Sequence, residues 1–138
     1  MAELKTHEVP KTKARSYLGK ARQFLEVSTT SLGSERYDAA LLLAIHAGLS
    51  ACDAVTVALR GVRSIEPDHL RAADLLEAAA REAEDVQQHA SQLRGLLKVK
   101  NLVEYEDRRV SAREAETGSK RAERLVNWAA SVVDRAWI

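Results

Sequence analysis

The chain has 138 residues, the size of one domain, and a formal net charge of only +1. Hydrophobic residues make up 46% of it and aromatic residues only 4%, with two prolines and six glycines. A composition rich in Ala, Leu, Glu and Arg favours helices and argues against a β-sandwich. A single cysteine, Cys52, excludes an intramolecular disulfide and a cysteine-rich metal site.

The amino-terminal segment is polar and lacks the apolar stretch of a secretory signal. The longest apolar run, Ala39 to Ile45, is too short to span a membrane. These features predict a cytoplasmic protein without a membrane partner. We expect residues 1–11 to form a flexible leader, because Pro10 stops any upstream helix. Residues 12–138 are expected to form a single domain.

The first two helices are predicted from the spacing of apolar residues. The first carries an apolar stripe that starts at Tyr17 and ends near Gly33. Ser34 is the predicted N-cap of the second helix, and Gly61 its first residue beyond the carboxyl end. Between residues 39 and 59 this second helix is apolar nearly all the way round, which is typical of a central buried helix.

The later helices follow in the same way. A third helix starts at Pro67, and a fourth is predicted from Val86 to Tyr105, with an apolar stripe that turns polar toward its carboxyl end. The last helix begins at the capping-box spacing of Ser111 and Glu114. The sequence therefore predicts an all-α fold, an up-and-down bundle of four to five antiparallel helices.

Common catalytic and metal-binding signatures are absent from the sequence, so we expect no cofactor and no metal site. His46 lies on the central helix, and Asp53 lies two turns further along it. We interpret both as buried polar residues, which need a partner in the core. Between Arg94 and Arg124 there are nine basic and six acidic residues. This excess indicates either an ordinary solvated face or a shallow basic groove.

Four short patterns occur in a fixed order along the chain. They are Tyr-Leu-x-x-Ala-x-x-Phe-Leu at 17–25, Arg-Tyr-Asp-Ala-Ala at 36–40, His-Leu at 69–70, and Lys-Val-Lys-Asn-Leu-Val-Glu-Tyr-Glu-Asp at 98–107. In this order the chain, from about Arg15 to Trp137, resembles the HEPN superfamily. The resemblance implies a small helical bundle of the kind found in prokaryotic toxin–antitoxin and defence systems.

Catalytic members of that superfamily carry an Arg, then often a polar residue, and a His after four to six intervening residues. Two such motifs form a metal-independent ribonuclease site at a dimer interface. By resemblance, Lys100 occupies the Arg position, Asn101 the polar position and Tyr105 the His position. A lysine holds a phosphate as a point charge, whereas a tyrosine, with an ordinary pKa of about 10, is a poor proton shuttle.

The resemblance therefore implies a dimeric module that binds RNA, a nucleotide or a partner protein rather than catalysing a reaction. A nucleotidyltransferase-type antitoxin is the implied partner, and Lys98, Arg108 and Arg109 are the implied contacts to RNA or to that partner. A metal-independent endoribonuclease that uses the variant site at Lys100, Asn101 and Tyr105 is one alternative. A structural or scaffolding bundle is another.

Dimerisation is also predicted from the residues themselves. The second helix carries more apolar surface than three neighbouring helices need, although a five-helix domain could bury all of it. Trp128 is interpreted as a core residue. Trp137, next to the end of the chain, is a candidate to cover an interface.

Overall fold

Six helices make up most of residues 3–136, the part of the chain that the computed structural model describes. They are α1 (Ala14–Gly33), α2 (Tyr37–Arg60), α3 (Arg71–Ala79), α4 (Val86–Lys98), α5 (Lys100–Tyr105) and α6 (Ala112–Ala136). A short 3₁₀ turn at Lys11–Lys13 precedes α1, and the strands β1 (Thr6–Glu8) and β2 (Val62–Ser64) pair antiparallel. The predicted all-α bundle is confirmed. Trp137, the candidate interface residue, lies outside the described residues.

The second helix is the centre of the bundle. Of its 24 residues, 13 are buried, because α1, α3, α4 and α6 all pack against it. Its length and hydropathy alone would suit a membrane span, but 67% of its most apolar window is buried inside the fold. The predicted central position is confirmed. The neighbouring helices of the same chain cover much of its apolar surface, and Leu42, Leu43 and Leu49 are half-buried.

Small side chains let the helices approach closely. A Cβ atom on Gly48 would lie 2.7 Å from Cδ1 of Leu96 and 3.3 Å from Cδ1 of Leu125. Glycine at this position therefore allows α4 and α6 to pack directly on α2. The Ser28 hydroxyl donates to the carbonyl of Ala40 over 2.7 Å and connects α1 to the start of α2.

The two ends of α2 differ in how well the sequence predicts them. Ser34 is not an N-cap, because its hydroxyl donates backward to the Thr30 carbonyl of α1. The turn is made by Glu35, which adopts a left-handed conformation with φ of 61°, and α2 begins only at Tyr37. At the other end, Gly61 has φ of 67° and ends the helix as predicted.

The predicted fourth helix is interrupted. Val99 lies outside both α4 and α5, and its N–H bonds to the Leu96 carbonyl in a tighter turn than that of an α-helix. The prediction of one helix from Val86 to Tyr105 is therefore wrong. After the break, α5 packs on α2 and buries Leu102. The apolar stripe in the sequence shows no sign of this break.

The amino-terminal segment is hydrogen-bonded to the bundle. The pairing of β1 with β2 is extended by bonds from Val9 N–H to the Gly61 carbonyl (2.8 Å) and from Ile65 N–H to the Lys5 carbonyl (3.1 Å). Residues 5–9 thus have regular pairing where the sequence predicts a flexible leader. Sequence patterns miss β1, because its three residues are polar and exposed and depend on backbone bonds to a distant strand.

Candidate functional site

A cavity of about 390 Å³ lies between α2, the segment that includes β2, and the start of α3. The polar side chains that line it are His46, Ser50, Asp53, Arg63, Ser64, Glu66 and His69. It therefore combines residues of α2 with residues 63–72, which follow that helix in the sequence.

The α2 wall of the cavity follows from helix geometry. His46, Ser50 and Asp53 are spaced at i, i+4 and i+7, which places them on one face of α2. His46 and Asp53, which the sequence predicts to be buried polar residues, are half-buried, because this face borders the cavity. The partner of Asp53 is Arg63 of β2, whose Nε lies 3.6 Å from Oδ2 of the carboxylate.

The cavity changes the acidity of Asp53. Burial raises the pKa of this carboxyl to about 6, although the positive charges of Arg63 and Lys20 oppose the rise. An ordinary aspartate would be fully ionised at pH 6. Asp53 therefore exchanges a proton close to the physiological range.

A histidine cluster, which we define as His46, His69, Lys100 and Glu104, joins the cavity to α5. Lys100 Nζ lies 2.9 Å from Oε2 of Glu104, and the Lys100 side chain is only 17% exposed. The Lys100 hydrogen bond lowers the pKa of Glu104. Although His69 is exposed at the rim, partial desolvation and then the charge of Lys100 lower its pKa, which favours the neutral imidazole.

The other residues of the predicted catalytic set are arranged differently. Asn101 is exposed on α5, and Tyr105 is 77% exposed at the last residue of that helix. Lys98 is exposed at the end of α4, before the break. Of the three predicted residues Lys100, Asn101 and Tyr105, Lys100 is the one whose charge acts on His69, and Tyr105 reaches the cluster through a hydrogen bond to Glu104.

The predicted binding residues Arg108 and Arg109 are paired with carboxylates. Arg108 donates from both terminal nitrogens to Glu114, over 3.1 and 2.9 Å. Arg109 Nε donates to Asp38 Oδ2 over 2.6 Å, and the N–H of Val110 donates to the other oxygen of Asp38 over 2.8 Å. Both guanidinium groups thus hold the connection between α5 and α6 in place.

His69, Arg63 and Glu66 are site residues that sequence reasoning missed. His69 lies in a turn that resembles an ordinary helix start, and β2 is too short to show a strand pattern. Nothing in their spacing links them to His46 or Lys100. Within residues 3–136, no group of three or more His, Cys, Asp or Glu side chains lies close enough to hold a metal ion.

Comparison with known proteins agrees with the architecture. A family model described as the HEPN domain matches residues 14–132. The crystal structure of TT1696 from Thermus thermophilus is similar in fold, with a TM-score of 0.72 and 22% identity, and the match covers 87% of this chain and 98% of that one. No curated protein matches the chain. Since the family model spans most of the sequence, this chain belongs to the HEPN domain family.

Proposed function

We propose that this HEPN domain binds a phosphate group of RNA or of a nucleotide at the histidine cluster, without cleaving it. The observation that carries the proposal is that His46 and His69 line one cavity and that the charge of Lys100 acts on His69. Lysine ammonium and imidazole N–H groups donate hydrogen bonds to phosphate oxygens. A cavity of about 390 Å³ has room for a small ligand or for part of a nucleotide.

Binding is favoured over catalysis by the state of the motif residues. Lys100 is already neutralised by Glu104, so a phosphate has to compete with this carboxylate for the ammonium group. Tyr105, which stands in the position of the family's His, is exposed, and a tyrosine transfers protons poorly at neutral pH. The site therefore offers anion contacts but no proton shuttle at the motif position.

Fluorescence anisotropy with a labelled single-stranded RNA, with AMP and inorganic phosphate as competitors, tests the proposal. Lys100→Gln and His69→Gln should each weaken binding about tenfold, the effect of losing one charge-assisted or well-formed hydrogen bond. Lys13→Gln is the matched control, because Lys13 carries the same charge but is exposed in the 3₁₀ turn before α1. Equal weakening by all three substitutions would mean that only net charge matters and would contradict the proposal.

The affinity should also depend on pH. A bound phosphate favours protonated imidazole, so binding raises the pKa of His69 above its lowered value in the free protein. Affinity should therefore increase as pH falls from 8 to 5.5 at constant ionic strength. His69→Gln should flatten this increase, and a wild-type affinity that is constant over the whole range would count against the site.

A metal-independent endoribonuclease is the second candidate, because two imidazoles line one cavity and the lowered pKa of His69 favours its neutral form. A neutral imidazole can accept a proton from a ribose hydroxyl. Purified protein would be incubated with mixed RNA in the presence of a chelator, beside His46→Gln, His69→Gln and Tyr105→Phe. Cleavage that survives the chelator and is lost in the histidine variants would replace the binding proposal.

A further inference from the structure

Asp53 and Arg63 lie side by side in the cavity, and their ion pair is incomplete. The distance from Arg63 Nε to Oδ2 of the Asp53 carboxylate is 3.6 Å, which is longer than a hydrogen bond. The Asp53 side chain is 19% exposed and lines the cavity, so a ligand can reach its carboxylate. Asp53 can therefore accept hydrogen bonds from a ligand while Arg63 stays beside it.

The Arg63 guanidinium is held in place by its surroundings. Its Cζ atom lies 5.8 Å from the centroid of the Tyr17 ring, within the range of a cation–π contact. The backbone of Arg63 is fixed by the pairing of β2 with β1, opposite His7. Its side chain is 36% exposed and lines the cavity, and the guanidinium carries N–H donors beyond Nε. Groups fixed before binding lose less conformational entropy when a ligand arrives.

The charges near Asp53 favour a neutral ligand. The positive charges of Arg63 and Lys20 both act on the carboxylate. A cationic ligand would be repelled by these two cations, and an anionic ligand would be repelled by the carboxylate. A neutral group with two adjacent N–H donors avoids both repulsions. Guanine presents such donors at N1 and N2, with the acceptor O6 next to them on the same edge.

We propose that the cavity binds a guanine base, with the Asp53 carboxylate accepting from N1–H and N2–H and the Arg63 guanidinium donating to O6. The inference rests on the proposed function, because it adds the base to a nucleotide whose phosphate is bound by the histidine cluster. Leu49, Ile65 and Ala72 line the same cavity and supply apolar surface for the flat face of a base.

The base site and the histidine cluster are separated by a distance that suits one nucleotide. Asp53 and His46 are seven residues apart on α2, which is about 10 Å along the helix axis at a rise of roughly 1.5 Å per residue. This is the order of the length from the base edge to the phosphate of a nucleoside monophosphate. The cavity of about 390 Å³ lies in the size range of small-molecule sites. One nucleotide can therefore reach Asp53 with its base and the cluster with its phosphate.

Isothermal titration calorimetry of the full chain with guanosine, inosine and adenosine tests base recognition without a phosphate. At pH 8 the Asp53 carboxylate is ionised, because its pKa is about 6. Guanosine should bind about tenfold more tightly than inosine, which lacks the 2-amino donor. Adenosine should bind more weakly still, because its edge has an acceptor at N1.

Asp53→Asn should remove the preference for guanosine over inosine. The amide accepts from N1–H but turns its own N–H toward the 2-amino group, so this group no longer strengthens binding. Asparagine has nearly the shape of aspartate, so the variant should remain folded, as circular dichroism will check. Asp134→Asn is the matched control, because Asp134 is exposed on α6, outside the lining of the cavity, and it should leave the preference unchanged.

Equal affinity of the wild type for guanosine and adenosine overturns the proposal, as does a preference for guanosine that Asp53→Asn leaves intact. Titration with GMP tests the phosphate contact separately. GMP should bind more tightly than guanosine, and Lys100→Gln should remove most of this difference. A preference for guanosine with no gain from the phosphate would reject the histidine cluster and keep the base site. A gain from the phosphate without a preference among bases would reject the base site and keep the cluster.

Discussion

Asp53 and Cys52 are neighbours on α2, and their surroundings determine what each can do. Asp53 faces the cavity, where a proton can reach it, whereas Cys52 is a free thiol, 3% exposed, inside the core. Burial raises the pKa of the Cys52 thiol, and burial also raises the pKa of Asp53. One residue of difference along the helix therefore separates a titrating site residue from an inert core residue.

The raised pKa of Asp53 predicts a pH-dependent stability. The folded protein holds this proton more tightly than the unfolded chain, whose aspartate has an ordinary pKa of 3.8, so stability falls as pH rises from about 4 through 6. The wild-type free energy of unfolding should decrease by roughly 1 to 3 kcal/mol over this range, at about 1.4 kcal/mol per pKa unit, and Asp53→Asn should abolish this decrease. Urea unfolding at pH 4.5 and pH 7 measures it. Glu26→Gln, on the exposed face of α1, is the control, and parallel profiles for wild type and Asp53→Asn would contradict the shift.

Burial of Cys52 predicts that it resists thiol reagents in the folded protein. A thiol must ionise and meet the reagent in order to react, and the core prevents both. At pH 8 the native protein should label slowly, and the same protein in concentrated urea should label completely and quickly. With an aromatic disulfide reagent that releases a chromophore, the absorbance follows both reactions. Rapid stoichiometric labelling of the native protein would show that α2 is not buried as described.

The start of α6 shows how local contacts define an element. Ser111 N–H donates to Glu114 Oε1 over 2.9 Å, and Glu114 N–H donates to Ser111 Oγ over 3.1 Å, which confirms the predicted capping box. The tertiary structure adds Arg108 on the same carboxylate and the Asp38 bonds from α2. The sequence indicates where α6 begins, and contacts from outside the helix hold that start against α2.

The substitution Glu114→Gln should distinguish the stability contributed by the ion pair with Arg108 from that contributed by the capping box. The Arg108 hydrogen bonds lower the pKa of Glu114 to about 2, with a smaller effect from the Ser111 N–H. The resulting stability is present above the unfolded pKa of about 4.3 and is lost as pH falls toward 2. Because the pair is partly exposed, the expected cost at pH 7 is only about 0.5 to 1 kcal/mol.

Urea unfolding from pH 2 to pH 7 measures this difference, which should disappear at the acid end. Ser111→Ala is the comparison. This substitution should lower the free energy of unfolding by about 1 kcal/mol, and the effect should persist when Glu114 is protonated. The hydrogen bond that Ser111 Oγ accepts from the Glu114 N–H involves no charge. A Glu114→Gln effect that does not change with pH would argue against the Arg108 pair as its cause.

At the scale of the whole molecule, the amino-terminal strand supports one wall of the cavity. Arg63 and Ser64 of β2 line the cavity, and β1 pairs with β2. Lys5 N–H also donates to Glu66 Oε2 over 2.6 Å. The polar leader therefore contributes to the shape of the site although it lies outside the helical bundle.

Removal of residues 1–8 tests this support. The loss of a few backbone hydrogen bonds should cost about 1 to 3 kcal/mol, at roughly 1 kcal/mol per bond. Hydrogen exchange of the amides from Val62 to Ile65 should become faster, while that of α2 should change little. If residues 62–65 exchange at the wild-type rate in the shortened chain, the strand pairing does not hold the wall.

The oligomeric state remains a prediction of the family analogy. The large apolar side chains that are exposed among residues 3–136 are Val27, Ile65, Leu70 and Tyr105, and none of these lies on α2. On α2 itself, Leu42, Leu43 and Leu49 are half-buried and leave apolar surface that a second subunit could cover. Light scattering at micromolar concentration decides the question, and a strictly monomeric protein would contradict the predicted homodimer.

The amino-acid sequence by itself determined the helical class, the central position of α2, the cap of α6 and the placement of His46 and Asp53 on one helix face. These properties depend on periodicity and on neighbours within one turn, which the sequence displays directly. The tertiary structure alone decided that His69 and Arg63 line one cavity with His46, and that Arg108 and Arg109 pair with carboxylates. The physical reason is that contacts between separate segments depend on how whole elements pack, and no local spacing in the sequence encodes that packing.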